Sequence, residues 1–279
     1  MKTYVKDCRW GKFLLLHGDF ISHFMNMFGE WSEAEVDLFR WLLPADGVVI
    51  EVGSNIGTHA VPLSMICPQG RVYCYEPQRQ IYHILCANLA LNNRLNVFAL
   101  HSGVGDTVGR IAIESSDYDE PFNYGSYSLT QGFSTETAFK GHLSSEIVPI
   151  TSLDGDPNLG DLQNVHLLKI DAEGFEPQVI AGAEQIILKF RPDIFVEANK
   201  PEVLEAAMKA LLPLGYIGYW FVSHRFRPDN YNRSPFVVAG WDANIIFRQT
   251  NRPVPSGLRV AQDFDDLSRG VAILNKFEG

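Results

Sequence analysis

VVIEVGSNIGTHAVPLSMICPQGRVYCYEP, residues 48–77, is the stretch that decides the fold. VVIEVG (48–53) is a β-branched apolar run ending at a glycine, which reads as a strand buried on both faces. The spacing predicts a helix over about 57–67 and a second strand at RVYCYEP (71–77), so the unit is strand, turn, helix, strand. Gly53 and Gly57 in Glu51-Val-Gly-Ser-Asn-Ile-Gly57 allow a tight turn and close approach of a ligand to the backbone. In open α/β sheets ligands bind outside the carboxyl ends of the strands, near the reversal of strand order. The glycine spacing is GxxxG, not the GxGxxG that cradles a diphosphate, which argues against a nicotinamide dinucleotide. Glu76 ends the second strand about twenty residues on, where a carboxylate can accept both ribose hydroxyls of an adenosine group.

The same rhythm continues outward. QRQIYHILCANLALNN (78–93) is a strong amphipathic helix, and NVFALHSGVGD (96–106) opens as a third strand. Its tip offers Ser102, Gly103 and Val104 as adenine contacts, with His101 read as a wall residue. Residues 107–150 break the alternation and are rich in Ser, Tyr, Gly and Asp, an insertion that reads equally as a lid or as a surface hairpin. VHLLKIDAEG (165–174) is a fourth strand, 177–190 a helix with Pro177 in its first turn, PDIFVEAN a fifth strand, and PEVLEAAMKALLPLG a helix closed by Gly215. YIGYWFV (216–222) and ANIIFRQ (243–249) have no helix between them and predict an antiparallel pair at the sheet edge. The expected architecture is therefore an α/β fold: a seven-stranded, mostly parallel sheet with a C-terminal antiparallel β-hairpin and helices on both faces. Before it, residues 1–46 read as a helical lead-in with Val36, Phe39 and Leu43 on one stripe and Ser32 as N-cap. Residues 47–250 read as the catalytic domain and 251–279 as a peripheral tail.

Composition narrows the function classes. The 279 residues carry 23 Lys and Arg against 33 Asp and Glu, a formal net charge of −10, with the one mildly basic stretch around Arg225 to Arg233. No nucleic-acid partner is expected, because phosphate binding relies on clustered cations. No apolar run reaches the roughly 18 residues of a membrane span. The N-terminus lacks the apolar core of a signal peptide, so the expected location is cytoplasmic. Cys8, Cys67, Cys74 and Cys86 form no CxxC pair and are read as reduced thiols without a metal. The sequence does not set an oligomeric state.

Four segments together carry a resemblance: ExGxNxG at 51–57, YEP at 75–77, GVGD at 103–106 and above all LLKIDAEGFEPQVIAGA at 167–183. From about Gly29 to Phe247 the chain resembles the FkbM-type methyltransferases, with Ser54 where that family often has alanine. The resemblance implies a class I Rossmann-like methyltransferase fold, S-adenosylmethionine as methyl donor, and O-methylation of a hydroxyl on a sugar, glycan or natural product. Glu51, Gly53, Ser54, Asn55, Gly57, Glu76, Ser102, Gly103, Val104 and Asp171 are then the expected donor-binding residues. Asp171, at the tip of the fourth strand, is the leading catalytic candidate, as base, as acceptor-orienting group, or as ligand with Glu197 and Asn199 to a divalent ion such as magnesium. No metal is expected. Glu173, Glu197 and His224 are further catalytic candidates, and His59 a weaker one. Lys169, two residues before Asp171 in an apolar strand, needs a buried partner, for which Glu51 on the adjacent strand is the expected choice. Competing readings are N-methylation, against which stands the lack of an Asn/Asp-Pro-Pro-aromatic loop after the fourth strand, and a nicotinamide oxidoreductase or nucleotide-binding module.

Overall fold

The computed structural model describes residues 1–133, 138–238 and 241–263. The chain opens with an antiparallel hairpin, β1 (Thr3–Cys8) and β2 (Gly11–Leu16), then helices α1 (Phe20–Phe28) and α2 (Glu33–Leu42). The α/β core follows as β3 (Val48–Val52), α3 (Ala60–Ile66), β4 (Arg71–Tyr75), α4 (Arg79–Leu91) and β5 (Val97–Leu100). Three strands then form a separate small sheet: β6 (Gly103–Val104), β7 (Gly109–Ser116) and β8 (Leu143–Thr151). The core resumes with β9 (Leu167–Ile170), α5 (Glu176–Ala181), α6 (Glu184–Phe190), β10 (Asp193–Glu197) and α7 (Pro201–Leu211). It closes with β11 (Tyr216–His224), β12 (Trp241–Gln249) and β13 (Arg259–Val260).

The main sheet runs β13-β11-β12-β10-β9-β3-β4-β5. β5, β4, β3, β9 and β10 are parallel, while β12 is antiparallel to both β10 and β11. This is the class I methyltransferase arrangement, with the two-residue β13 added to the seven expected strands at the β11 edge. The chain leaves β3 towards β4 and β5 and returns on its other side at β9, so the switch in strand order lies between β3 and β9. Alternation along each strand divides the core in two. Val49 and Val72 pack on the side of α2, α3 and α4, and Ile50 and Leu168 on the side of α5, α6 and α7. In α4 the buried Ile81, Ile84, Leu85, Asn88 and Leu89 follow the spacing of one helical face.

Several expectations are corrected. The lead-in is not helical throughout, because TYVKDC alternates in burial with period two and pairs as β1. Helix α4 holds that hairpin through polar side chains: Leu14 N donates to Asn88 Oδ1 at 2.5 Å, and Asn92 Nδ2 donates to Lys12 O at 2.7 Å. Ser32 precedes α2 but does not cap it; at φ 44° it turns its hydroxyl towards Asp242 Oδ2 at 3.4 Å. The helix expected over 177–190 is broken at Gly182, where a Cβ would lie 1.9 Å from Gly105 O. The insertion is a β7–β8 hairpin whose tip folds inward: Tyr118, Tyr124, Tyr127 and Phe133 are buried in the same core as β2 and α3. Part of that tip (134–137) and of the tail (264–279) lies outside the described residues. Among the described residues no helix is long and apolar enough to cross a membrane, and all four cysteines are free thiols.

Candidate active site

The carboxyl ends of β3, β4 and β9 open into one cavity, walled on the far side by the tip of the insertion and by the lead-in helices. The turn after β3 is stitched to β4, with Gly53 N and Ser54 N both donating to Tyr75 O at 3.0 and 3.1 Å. Gly53 has φ 80°, and a Cβ there would sit 1.8 Å from Asp171 O. The glycine is thus required by the neighbouring strand tip, not only by a ligand. Gly57 (φ 89°) shapes the turn against Leu85 and does not line the cavity, unlike Glu51, Gly53, Ser54 and Asn55.

Glu76 is 3% exposed, and its two carboxylate oxygens each accept one backbone N–H, from Asn55 and from Gln78, both at 2.9 Å. Burial nonetheless pushes its pKa up to about 7. Two of the carboxylate's four lone-pair sites are left for a ligand. Ser102, Gly103 and Val104 line the same end of the cavity. His101 does not: its Nε2 contacts Pro77 O at 3.0 Å and its ring stacks on Tyr82, in keeping with a wall residue.

At the β9 tip, Lys169 is 2% exposed, and its first partner is not Glu51. Lys169 Nζ lies 3.1 Å from Asp171 Oδ2 and 3.9 Å from Glu51 Oε1. Burial opposes the ammonium's charge, but Asp171, Glu51 and Glu35 outweigh it and hold the pKa above its ordinary value. Glu51 is pushed up to about 7 by burial, against the pull of Lys169. The loop beyond is left-handed at Glu173 (φ 50°) and Gly174 (φ 97°). Buried Glu176 fastens it by accepting the backbone N–H groups of Ala172 and Gly174, a role the sequence pattern did not signal. Asp171, Glu173 and Glu197 converge, with carboxylate oxygens within 4.8 Å of one another. Glu197 accepts from Asn199 Nδ2 at 2.6 Å, and burial followed by the charge of Asp171 raises its pKa well above normal.

Apart from His59, the other half of the cavity comes from residues that sequence reasoning passed over. Glu35, on α2, is buried, and burial lifts it to about 8 although Lys169 draws it down. Its Oε1 accepts from Asn244 Nδ2 at 3.2 Å, and its Oε2 lies 3.5 Å from His59 Nε2. Burial, then the Lys169 charge, lowers the His59 pKa well below normal, so the imidazole is neutral. Arg225 forms a bidentate pair with Asp242 and lies over the rings of Phe20 and Trp31 at 5.6 and 5.2 Å. His224, one residue earlier, ends β11 exposed and does not line the cavity, so it leaves the set of catalytic candidates that the geometry gathers. These residues are scattered from position 20 to 244 and no short motif contains them; the one local hint was an acidic, aromatic-flanked helix start, GEWSEAE.

Three relatives share this frame at low identity. The methyltransferase sdnD of Sordaria araneosa is 27% identical over 190 residues, covering 61% of this chain and 73% of that protein. The 2-O-methyltransferase NoeI of Sinorhizobium fredii is 26% identical over 178 residues, 61% of this chain and 71% of that one. The hexuronic acid methyltransferase AglP of Haloferax volcanii is 29% identical over 155 residues, 53% and 56% of the two chains. The methyltransferase FkbM domain profile matches residues 51–217, from the β3 carboxylate to the start of β11. With more than half its length matched, including every strand tip that builds the floor of the cavity, the chain belongs to the FkbM methyltransferase family.

Proposed function

We propose that the protein is an S-adenosylmethionine-dependent O-methyltransferase acting on a hydroxyl of a sugar, glycan or similar polyhydroxylated natural product. One observation carries the reading: the buried Glu76 carboxylate, with lone pairs to spare, faces the same cavity as Asp171, on the two sides of the β3 glycine turn. The donor set fits an adenosyl group. Glu76 takes the ribose hydroxyls, Ser102 to Val104 border the base, and the Gly53 turn lets the ligand lie against backbone. When bound, the donor supplies an electrophilic methyl on a sulfonium. The chain's own work is to align the acceptor hydroxyl and accept its proton. Asp171 is suited to that, since its side chain is 38% exposed and remains reachable while Lys169 steadies one oxygen. The name of one relative, a 2-O-methyltransferase, favours oxygen over nitrogen, and that of another, a hexuronic acid methyltransferase, favours a sugar.

Titration calorimetry with S-adenosylhomocysteine and with NAD tests the donor assignment, and transfer of a tritiated methyl group to a panel of sugars tests the acceptor. Binding of NAD in place of S-adenosylhomocysteine would overturn the reading in favour of an oxidoreductase. Methylation confined to amines would move it to N-transfer.

A further inference from the structure

Beside the catalytic cavity lies a second, more open depression, at the seam where the insertion meets the lead-in. Its floor is made by backbone pairing across that seam: Phe20 N donates to Phe122 O at 3.1 Å and Phe122 N to Gly18 O at 3.0 Å. Phe20 and Asn123 line both the cavity and this groove, so the two adjoin at these residues. Beyond them the groove is bordered by Tyr4, His17, His23, Phe24 and Phe122. His17 and His23 are exposed, and Tyr4, Phe24 and Phe122 are half-buried, so ring surface remains open to solvent. The rings hold one another in place, Tyr4 against His17 at 4.5 Å and Phe20 against Phe24 at 4.7 Å.

Among the described residues the groove lining contains no Lys or Arg. Its one carboxylate, Asp19, is buried and capping α1 through Ser22 N at 2.8 Å. Without an ammonium or guanidinium group, such a groove offers phosphorylated or sulfated ligands no fixed counter-charge. It favours a neutral ligand with C–H faces for the aromatic rings and hydroxyls for imidazole and amide groups. The acceptor half of the cavity shares the aromatic part of this character, with Trp31 and Phe20 beside the paired Arg225 and Asp242 and the Asn244 amide.

We infer that the groove holds the sugar units adjoining the one that is methylated, so that the acceptor is a neutral oligosaccharide and not a single sugar. The inference rests on the methyltransferase reading above and adds the size and charge of its substrate. A ring seated in the cavity against Trp31 would bring its glycosidic neighbour to Phe20, whose ring lies 6.1 Å from that of Trp31 and borders both the cavity and the groove. The lead-in side of the groove lies before residue 51, where the family match begins, while its insertion side, Pro121 to Asn123, lies within that match.

The test uses the full chain saturated with S-adenosylhomocysteine on a printed array of defined neutral mono- to tetrasaccharides, with calorimetry on the sugars retained. The expected result is retention of oligosaccharides, each bound at least about tenfold more tightly than its own terminal monosaccharide. In His17→Ala and His23→Ala, whose side chains are exposed and leave the core intact, that advantage shrinks several-fold while S-adenosylhomocysteine affinity stays as in wild type. Equal affinity for a monosaccharide and its oligosaccharide, or retention of no carbohydrate by protein that still binds S-adenosylhomocysteine, overturns the groove assignment and leaves the donor assignment standing. Failure to bind S-adenosylhomocysteine at all overturns both.

Discussion

Replacing Lys169 with methionine removes the positive charge at the centre of the cavity floor and leaves most of its volume filled. Lys169 is 2% exposed and sits between Asp171 at 3.1 Å and Glu51 at 3.9 Å, with Glu35 also drawing on its charge. Asp171 rehydrates when the ammonium goes, because 38% of its side chain is exposed. Glu51 and Glu35 are buried and have no such escape. Removing one member of a buried ion pair costs about 3–5 kcal/mol when the partner must stay charged. These carboxyls can instead take up protons, since burial already holds Glu51 at about 7 and Glu35 at about 8 with Lys169 in place. Each further unit of pKa is worth about 1.4 kcal/mol. The loss in the variant should therefore depend on pH, reaching about 3–5 kcal/mol at alkaline pH and falling below about 1.5 kcal/mol near pH 6. At roughly 2–4 °C per kcal/mol for a domain of this size, that is on the order of 10 °C in Tm at alkaline pH and a few degrees near pH 6. Circular-dichroism melts of wild type and Lys169→Met at pH 6 and pH 8.5 measure it. An unchanged Tm at pH 8.5, or the same loss at both pH values, would refute the reasoning.

Three further outcomes are expected. Glu76→Ala should weaken S-adenosylhomocysteine binding by about 1.5–3 kcal/mol, the range for hydrogen bonds to a charged group, and calorimetry showing unchanged affinity would remove Glu76 from the ribose site. Asp171→Asn should lower turnover by roughly 10²–10⁴ with little change in donor affinity; EDTA should leave wild-type turnover intact, since Lys169 competes with a cation at Asp171, and a loss restored by magnesium would convert the three-carboxylate cluster into a metal site. Finally, Glu35, Glu51 and Glu76 are raised in the folded chain above the ordinary 4.5, so their contribution to stability is present at low pH and lost as pH rises towards 8, whereas His59 is lowered and subtracts only below about 6.5. The ligand-free protein should thus melt higher at pH 6.5 than at pH 8, and a Tm that rises over that window would count against burial of the carboxyls.

The strand-tip half of the cavity was legible in the sequence because strand, turn and helix are short-range objects. A β-branched run ending in Gly53, and a second ending in Glu76, place their last residues at one edge of a parallel sheet whatever the rest of the chain does. Asp171 follows by the same logic from its strand. Lys169 was recognisable as a buried cation needing an anion, but its ranking of partners was not. Strand register alone sets Glu51 beside it, whereas the 3.1 Å contact with Asp171 depends on how the side chain bends towards the open strand end.

Local pattern by itself determined the alternating α/β order, the antiparallel pair at the sheet edge, the glycine turn and the carboxylates at three strand tips. Only tertiary structure decided the opposite wall of the cavity: that Glu35 from the lead-in meets His59 and Asn244, that Arg225 closes on Asp242 over Phe20 and Trp31, and that Asn123 and Tyr127 of the insertion complete it. The physical reason is range. Backbone hydrogen bonding and hydrophobic period act over a few residues and repeat, so they are written in neighbouring letters. Polar contacts between segments as far as 209 residues apart depend on how two packed layers and an inserted hairpin come to rest against one another, and no spacing along the chain encodes that.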